Sequence, residues 1–136
     1  MAFLIDVKAL NIAGRLLTEE QKENLRKLAE KLTVLEERYG SLFKITSGFR
    51  TKEDQIHIYN IRGIYDEKLM HFGSQHMLGN AADIFDPRRN LERWLATEDG
   101  LKSLEELGLY QEAPDHELRT HLQQVPPKSG KRVFIG

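Results

Sequence analysis

The apolar positions of this chain begin with a helical stripe. Leu25, Leu28, Leu32 and Leu35 recur at spacings of three and four, which predicts an amphipathic helix. Lys22, Glu23, Arg26, Lys27, Glu30 and Lys31 fill its outer face. Thr18 followed by Gln21 reads as a capping box, and Glu19 and Glu20 suit the positive helix end. Gly40 after Tyr39 reads as the stop. This helix is expected to be a packed scaffold element.

Shorter runs follow. Leu42–Ser47 reads as a strand ending at Gly48, and Thr51–Asn60 as a helix capped by Thr51 with Asp54. Gly63–Gly73 reads as a loop, with or without a short element. Gly79–Asp86 reads as a tightly packed strand that Pro87 terminates. Asn90–Thr97 and Glu98–Leu107 predict one or two helices with Trp94, Leu95, Leu101 and Leu104 inward. Strands are expected from Gly108-Leu109-Tyr110, over His121–Val125 and at Val133–Ile135. Residues 1–13 predict a short strand or extended arm around Phe3-Leu4-Ile5, broken by Gly14. The pattern predicts an α+β fold, a small antiparallel sheet with helices packed on one face. One domain over residues 1–136 is expected, with residues 1–17 as its N-terminal arm or short strand.

Composition narrows the chemistry. The 136 residues carry 20 basic and 21 acidic side chains, so no general charge excess points to nucleic acid. No cysteine is present, which excludes disulfides and thiolate metal sites. No apolar run approaches the ~20 residues of a bilayer span. Met1–Leu10 lacks a basic region and a small-residue cleavage site. Synthesis in the cytoplasm without a cleaved signal is expected.

The stretch from Ser74 to Asp83 (SQHMLGNAAD) carries the candidate chemistry. His76 and Asp83 are separated by small residues, Gly79 and Ala81, expected to remove bulk near a metal. His121 lies downstream on a predicted strand. Two imidazoles and one carboxylate can hold a catalytic zinc with one position open. Imidazole and carboxylate donors suit zinc best among the common ions. His57 reads as structural or exposed, and His71 lies outside the motif. His116-Glu117 is spaced one residue too far from His121 for the His-Glu-x-x-His pattern. Asp86 reads as a turn or cap residue and Trp94 as a core anchor, while Lys128, Lys131 and Arg132 read as a solvated turn or as a patch drawn to anionic cell-wall polymer or another acidic surface.

Through Ser47-Gly48-Phe49-Arg50-Thr51, the Ser74–Asp83 motif and His121-Leu122-Gln123, the chain resembles a known family. It is that of the zinc D-alanyl-D-alanine carboxypeptidases and related phage peptidoglycan endopeptidases, which share the Hedgehog-type fold. The likeness covers about residues 20–136, and Pro126–Arg132 is similar to short phage and prophage members. It implies zinc on His76, Asp83 and His121, and Arg50 in contact with a substrate carboxylate or carbonyl. Ser74 is expected to orient substrate or support the ligand loop. In active members an acidic residue three positions before the last histidine is the general base. Leu118 stands there. Glu117, one residue earlier, is the first alternative, and Asp115 and Glu112 are the others; His116 is a candidate proton donor.

Two functions are therefore expected to compete. One is a zinc-dependent peptidase on peptidoglycan peptides, as carboxypeptidase or endolysin-type endopeptidase, monomeric and brought to the cell wall by phage lysis machinery or a virion. The other is a zinc-binding structural or peptidoglycan-binding phage protein with weak or no catalysis. Zinc hydrolysis of another small amide is a third reading.

Overall fold

The computed structural model describes residues 5–72, 74–113 and 118–135. The leucine stripe forms the expected helix, here α2 (Glu19–Tyr39), with Leu25, Leu28, Leu32 and Leu35 fully buried. Burial of each is worth about 1.5–3 kcal/mol. Thr18 and Gln21 close a reciprocal capping box, at 3.1 and 2.9 Å, and Gly40 ends the helix in the left-handed conformation. Such a cap contributes about 1 kcal/mol.

Before α2, Val7–Leu10 forms one helical turn, α1, rather than a strand or extended arm. The Asp6 carboxylate accepts from the Ala9 amide at 2.8 Å, and Leu10 is buried. Ile5 forms no strand pairing; its amide donates to the Thr33 hydroxyl of α2. Phe3 and Leu4 lie outside the described residues.

After α2 come β1 (Ile45–Ser47), α3 (Lys52–Ile61) and β2 (Ala81–Phe85), with short 3-10 turns at Glu67–Leu69 and Gln75–Leu78. α4 (Asn90–Leu95), α5 (Glu98–Leu107), β3 (Tyr110–Glu112), β4 (Arg119–Gln123) and β5 (Val133–Phe134) complete the order. β1 is shorter than the apolar run because the Phe43 amide donates to the buried Glu36 carboxylate at 2.7 Å, away from the sheet. β4 begins two residues before the expected start, and its ladder with β2 pairs Asp83 with His121.

The fold is α+β, with a five-stranded sheet ordered β1-β2-β4-β3-β5. It is mixed, not purely antiparallel: β5 returns parallel to β3, pairing Gln111 with Val133 and Glu112 with Phe134. Strand alternation sends Ala82, Ile84 and Leu122 into a core with leucines of α2, α4 and α5. α3 contributes no residue to that core, so the helices are not all packed on it; its buried residue is Gln55. Leu95 and Leu104 point inward as expected, but Leu101 is 41% exposed. Trp94 is half-buried against Tyr39, with ring centroids 5.4 Å apart.

Candidate metal centre

The opposite sheet face carries the candidate metal-holding residues. Residues two apart on a strand share a face, so Asp83 on β2 and Arg119, His121 and Gln123 on β4 project together. Glu112 on β3 is the other register partner of His121. His76 arrives from the 3-10 turn Gln75–Leu78, whose backbone is tied down on several sides. The Ser74 hydroxyl caps it, accepting from the His76 amide at 3.2 Å. Asn24 and Gln21 of α2 donate to the Leu78 and Met77 carbonyls at 2.8 and 3.4 Å. Ser74 thus supports the ligand loop.

Gly79 ends this turn with φ of +79°. A Cβ there would lie 3.0 Å from the Gln21 carbonyl oxygen and 3.1 Å from Leu25 Cγ. The glycine is required by its left-handed backbone and its approach to α2, not by crowding at the site as the sequence suggests. Gly48 has a different constraint: a Cβ would fall 2.0 Å from the Leu10 carbonyl oxygen of α1.

His76, Asp83 and His121 come together, buried, with one donor atom each within 4.8 Å of the others. His121 Nδ1 lies 2.9 Å from Asp83 Oδ1, and His76 Nε2 lies 3.4 Å from Asp83 Oδ2. The two rings are nearly edge to face, with centroids 5.1 Å apart.

The remaining ring nitrogens are already committed. His76 Nδ1 lies 2.9 Å from the Gly48 carbonyl oxygen, which can only accept, so Nδ1 carries a proton. His121 Nε2 lies 2.8 Å from Gln123 Oε1. The Gln123 amide nitrogen donates to the Val125 carbonyl at 2.7 Å, which fixes the amide oxygen toward the ring. His121 Nε2 therefore also carries a proton. Each neutral imidazole then aims a lone pair at the Asp83 carboxylate. The 2.9 Å His121 contact requires one further proton or a cation, while the 3.4 Å His76 approach forms no hydrogen bond. Two adjacent buried imidazoliums are costly, whereas one divalent ion satisfies both rings in their neutral form. Asp83 Oδ2, buried and without a hydrogen bond, is the acceptor left waiting. The group can hold a metal ion.

Without a cation, the electrostatic balance instead favours a protonated His121 against an ionised Asp83. Burial pushes the Asp83 carboxyl up, but hydrogen bonds and charge from His121 and His76 outweigh it and hold the group far below the ordinary carboxylate range. Burial lowers the His76 pKa, aided by Arg50 and His121. Burial acts the same way on His121, but the Asp83 contact outweighs it, helped by Gln123 and Glu112, and its pKa is raised.

Arg50 follows the close approach at Gly48. Its amide donates to the His76 carbonyl at 3.2 Å, and Nη1 donates to Gln55 Oε1 of α3 at 3.3 Å. Its Nε is buried without a hydrogen-bond partner. Burial lowers its pKa, and the Asp83 charge opposes that. Arg119 Nη1 lies 3.4 Å from Asp83 Oδ2.

The other candidates fall elsewhere. Glu117, Asp115 and His116 lie outside the described residues. Leu118 is 63% exposed. His57 and His71 are exposed, and neither joins the His76–Asp83–His121 group. Asp86 caps α4, accepting from the Leu91 and Glu92 amides and from the Thr120 hydroxyl at 2.9–3.1 Å. Lys128 and Lys131 are exposed, while Arg132 lies over the Tyr110 ring. Sequence reasoning missed Gln123; its place two residues after His121 on a strand is the signal that marks it. Among the described residues no helix is long and apolar enough to cross a membrane.

Comparison with protein-family models and with curated proteins returns no match for this chain.

Proposed function

We propose that the chain is a zinc-dependent peptidase acting on peptidoglycan peptides, as a D-alanyl-D-alanine carboxypeptidase or endolysin-type endopeptidase with the Hedgehog-type arrangement. One observation carries the reading. Two buried imidazoles, each with its outer nitrogen committed to an acceptor, aim their inner nitrogens at one carboxylate. Three such ligands leave a fourth position of a tetrahedral ion for water or substrate. A zinc ion bound there supplies Lewis-acid polarisation of a carbonyl and acidifies a water.

The chain's own residues supply the rest. His76, Asp83 and His121 hold the ion. Arg50 presents a partly buried guanidinium for a peptide carboxylate or a developing oxyanion. Glu117 takes the proton from water in this reading, with Asp115 and Glu112 as alternatives. Glu112 has a structural argument, since it pairs with His121 in the ladder. Delivery to the cell wall by phage lysis machinery or a virion, and action as a monomer, belong to the same proposal.

The test is release of peptides or amino acids from purified peptidoglycan by zinc-loaded protein, with His76→Ala as control. Product that disappears in the variant supports the peptidase. Zinc bound at one equivalent with no product sinks the catalytic part. It leaves the second reading, a zinc-holding structural or wall-binding phage protein, which Leu118 at the expected acidic position favours.

A further inference from the structure

The Gln123 side chain does more than fill a strand position. It is buried, and both ends of its amide are used. Oε1 faces His121 Nε2 at 2.8 Å, and the amide nitrogen reaches the Val125 carbonyl at 2.7 Å. Turning the amide over would set its nitrogen against the ring N–H and its oxygen against a carbonyl, losing both bonds. Gln123 can therefore only accept from His121. Its backbone is held in β4 opposite Ala81 of β2 and Tyr110 of β3, so the amide has little freedom to withdraw.

We propose that Gln123 is a positioning residue: by accepting from His121 Nε2 it reserves Nδ1 as the metal-ligating nitrogen. The proposal rests on reading His76, Asp83 and His121 as a metal centre. Imidazole can ligate through either nitrogen, and the hydrogen bond at the other decides which. His76 has the same arrangement inverted, with the Gly48 carbonyl holding Nδ1–H and leaving Nε2 for the ion. The two histidines thus ligate through different nitrogens, as their approach from a turn and from a strand requires. A neutral amide serves this end without adding a second buried anion beside Asp83. A backbone carbonyl cannot be substituted, but Gln123 can.

The experiment uses the full chain with Gln123→Leu, which keeps bulk and removes both bonds, and Gln123→Glu, which restores an acceptor. Zinc affinity is measured by competition with a chromophoric chelator. Long-range proton–nitrogen spectra of the zinc-loaded proteins report which His121 nitrogen is ligated. The expected result is Nδ1 ligation and a protected Nε2 proton in the wild type. Gln123→Leu should lose that protected proton and about ten- to hundred-fold in zinc affinity. Gln123→Glu should regain the proton and most of the affinity. Ligation through Nε2 in the wild type overturns the proposal without recourse to any variant, as does unchanged affinity in Gln123→Leu. Failure of the wild type to take up zinc overturns the metal-centre reading itself, a result distinct from both.

Discussion

Asp83 and His121 sit directly opposite each other in the β2–β4 ladder, and the same pairing brings Oδ1 within 2.9 Å of Nδ1. Sheet register, not loop geometry, sets this half of the site. A one-residue slip of β4 would turn His121 into the leucine core and away from Asp83. The site and the core are thus opposite faces of one ladder, and the burial of Ala82, Ile84 and Leu122 holds the ligands in line.

Asp83→Asn separates charge from shape. The carboxylate is what both lone-pair nitrogens face, so its loss should abolish measurable zinc uptake. An amide oriented toward the rings can instead donate an N–H to a neutral imidazole. The metal-free variant should therefore melt at or above the metal-free wild type, since the ring facing the amide nitrogen no longer needs an extra proton. Thermal unfolding with and without zinc checks both. A variant that still gains several degrees on adding zinc would contradict the ligand assignment.

The two histidines predict a bell-shaped pH profile for the metal-free protein. His121 has a folded pKa raised above its ordinary 6.5. Its contribution is fully present below that value and is lost as pH rises through the folded pKa. His76 is lowered from 6.5. The fold resists its protonation, so stability falls as pH drops from 6.5 through its folded pKa. Metal-free stability should peak near pH 6.5 in this pair's contribution. Zinc inverts the alkaline limb, because deprotonation of His121 removes its competitor. The zinc-induced rise in melting temperature should be larger at pH 8 than at pH 5.5.

Gly48 and Gly79 should fail differently. Gly79→Ala must place a side chain at φ of +79°, a cost of about 1–2 kcal/mol, and press on Leu25 of α2. Gly48→Ala meets backbone, with its Cβ 2.0 Å from the Leu10 carbonyl oxygen, so the strand end itself must move. That movement carries the Gly48 carbonyl away from His76 Nδ1. Gly48→Ala is expected to lose more zinc affinity per unit of lost stability than Gly79→Ala. Denaturant titration paired with zinc titration of each variant measures the ratio.

What was legible in the sequence is what is local. The leucine stripe and threonine caps of α2 and α3 depend on residues three or four apart, and they mark both helices to within a residue. Ser74, His76 and Gly79 likewise form one local capped turn, though the sequence offered that stretch only as a candidate motif. Non-local choices were hidden. The Phe43 amide is taken by Glu36, which shortens β1, and no strand pattern encodes that capture. The parallel return of β5 onto β3 depends on a partner more than twenty residues away. Gln123 shares a face with His121 in the expected strand as well, but the Val125 carbonyl contact that fixes its amide is not encoded in a strand pattern.

The proposed peptidase reaction turns on which carboxylate serves as its general base. Leu118 lies just before β4, and Arg119, His121 and Gln123 share the site face, so strand alternation carried back one residue would turn position 118 away from that face. Leu118→Glu is therefore expected to leave turnover unchanged. Glu117→Gln should lower kcat about 10²–10⁴-fold, the usual worth of a positioned base, at constant zinc affinity. Glu112→Gln tests the rival. Glu112 pairs with His121 in the ladder and its charge bears on the ring, so its loss should shift the metal-free His121 titration downward. If Glu112→Gln abolishes turnover and Glu117→Gln does not, the base lies on β3. Measuring kcat on peptidoglycan peptides together with zinc stoichiometry for all three variants decides between them.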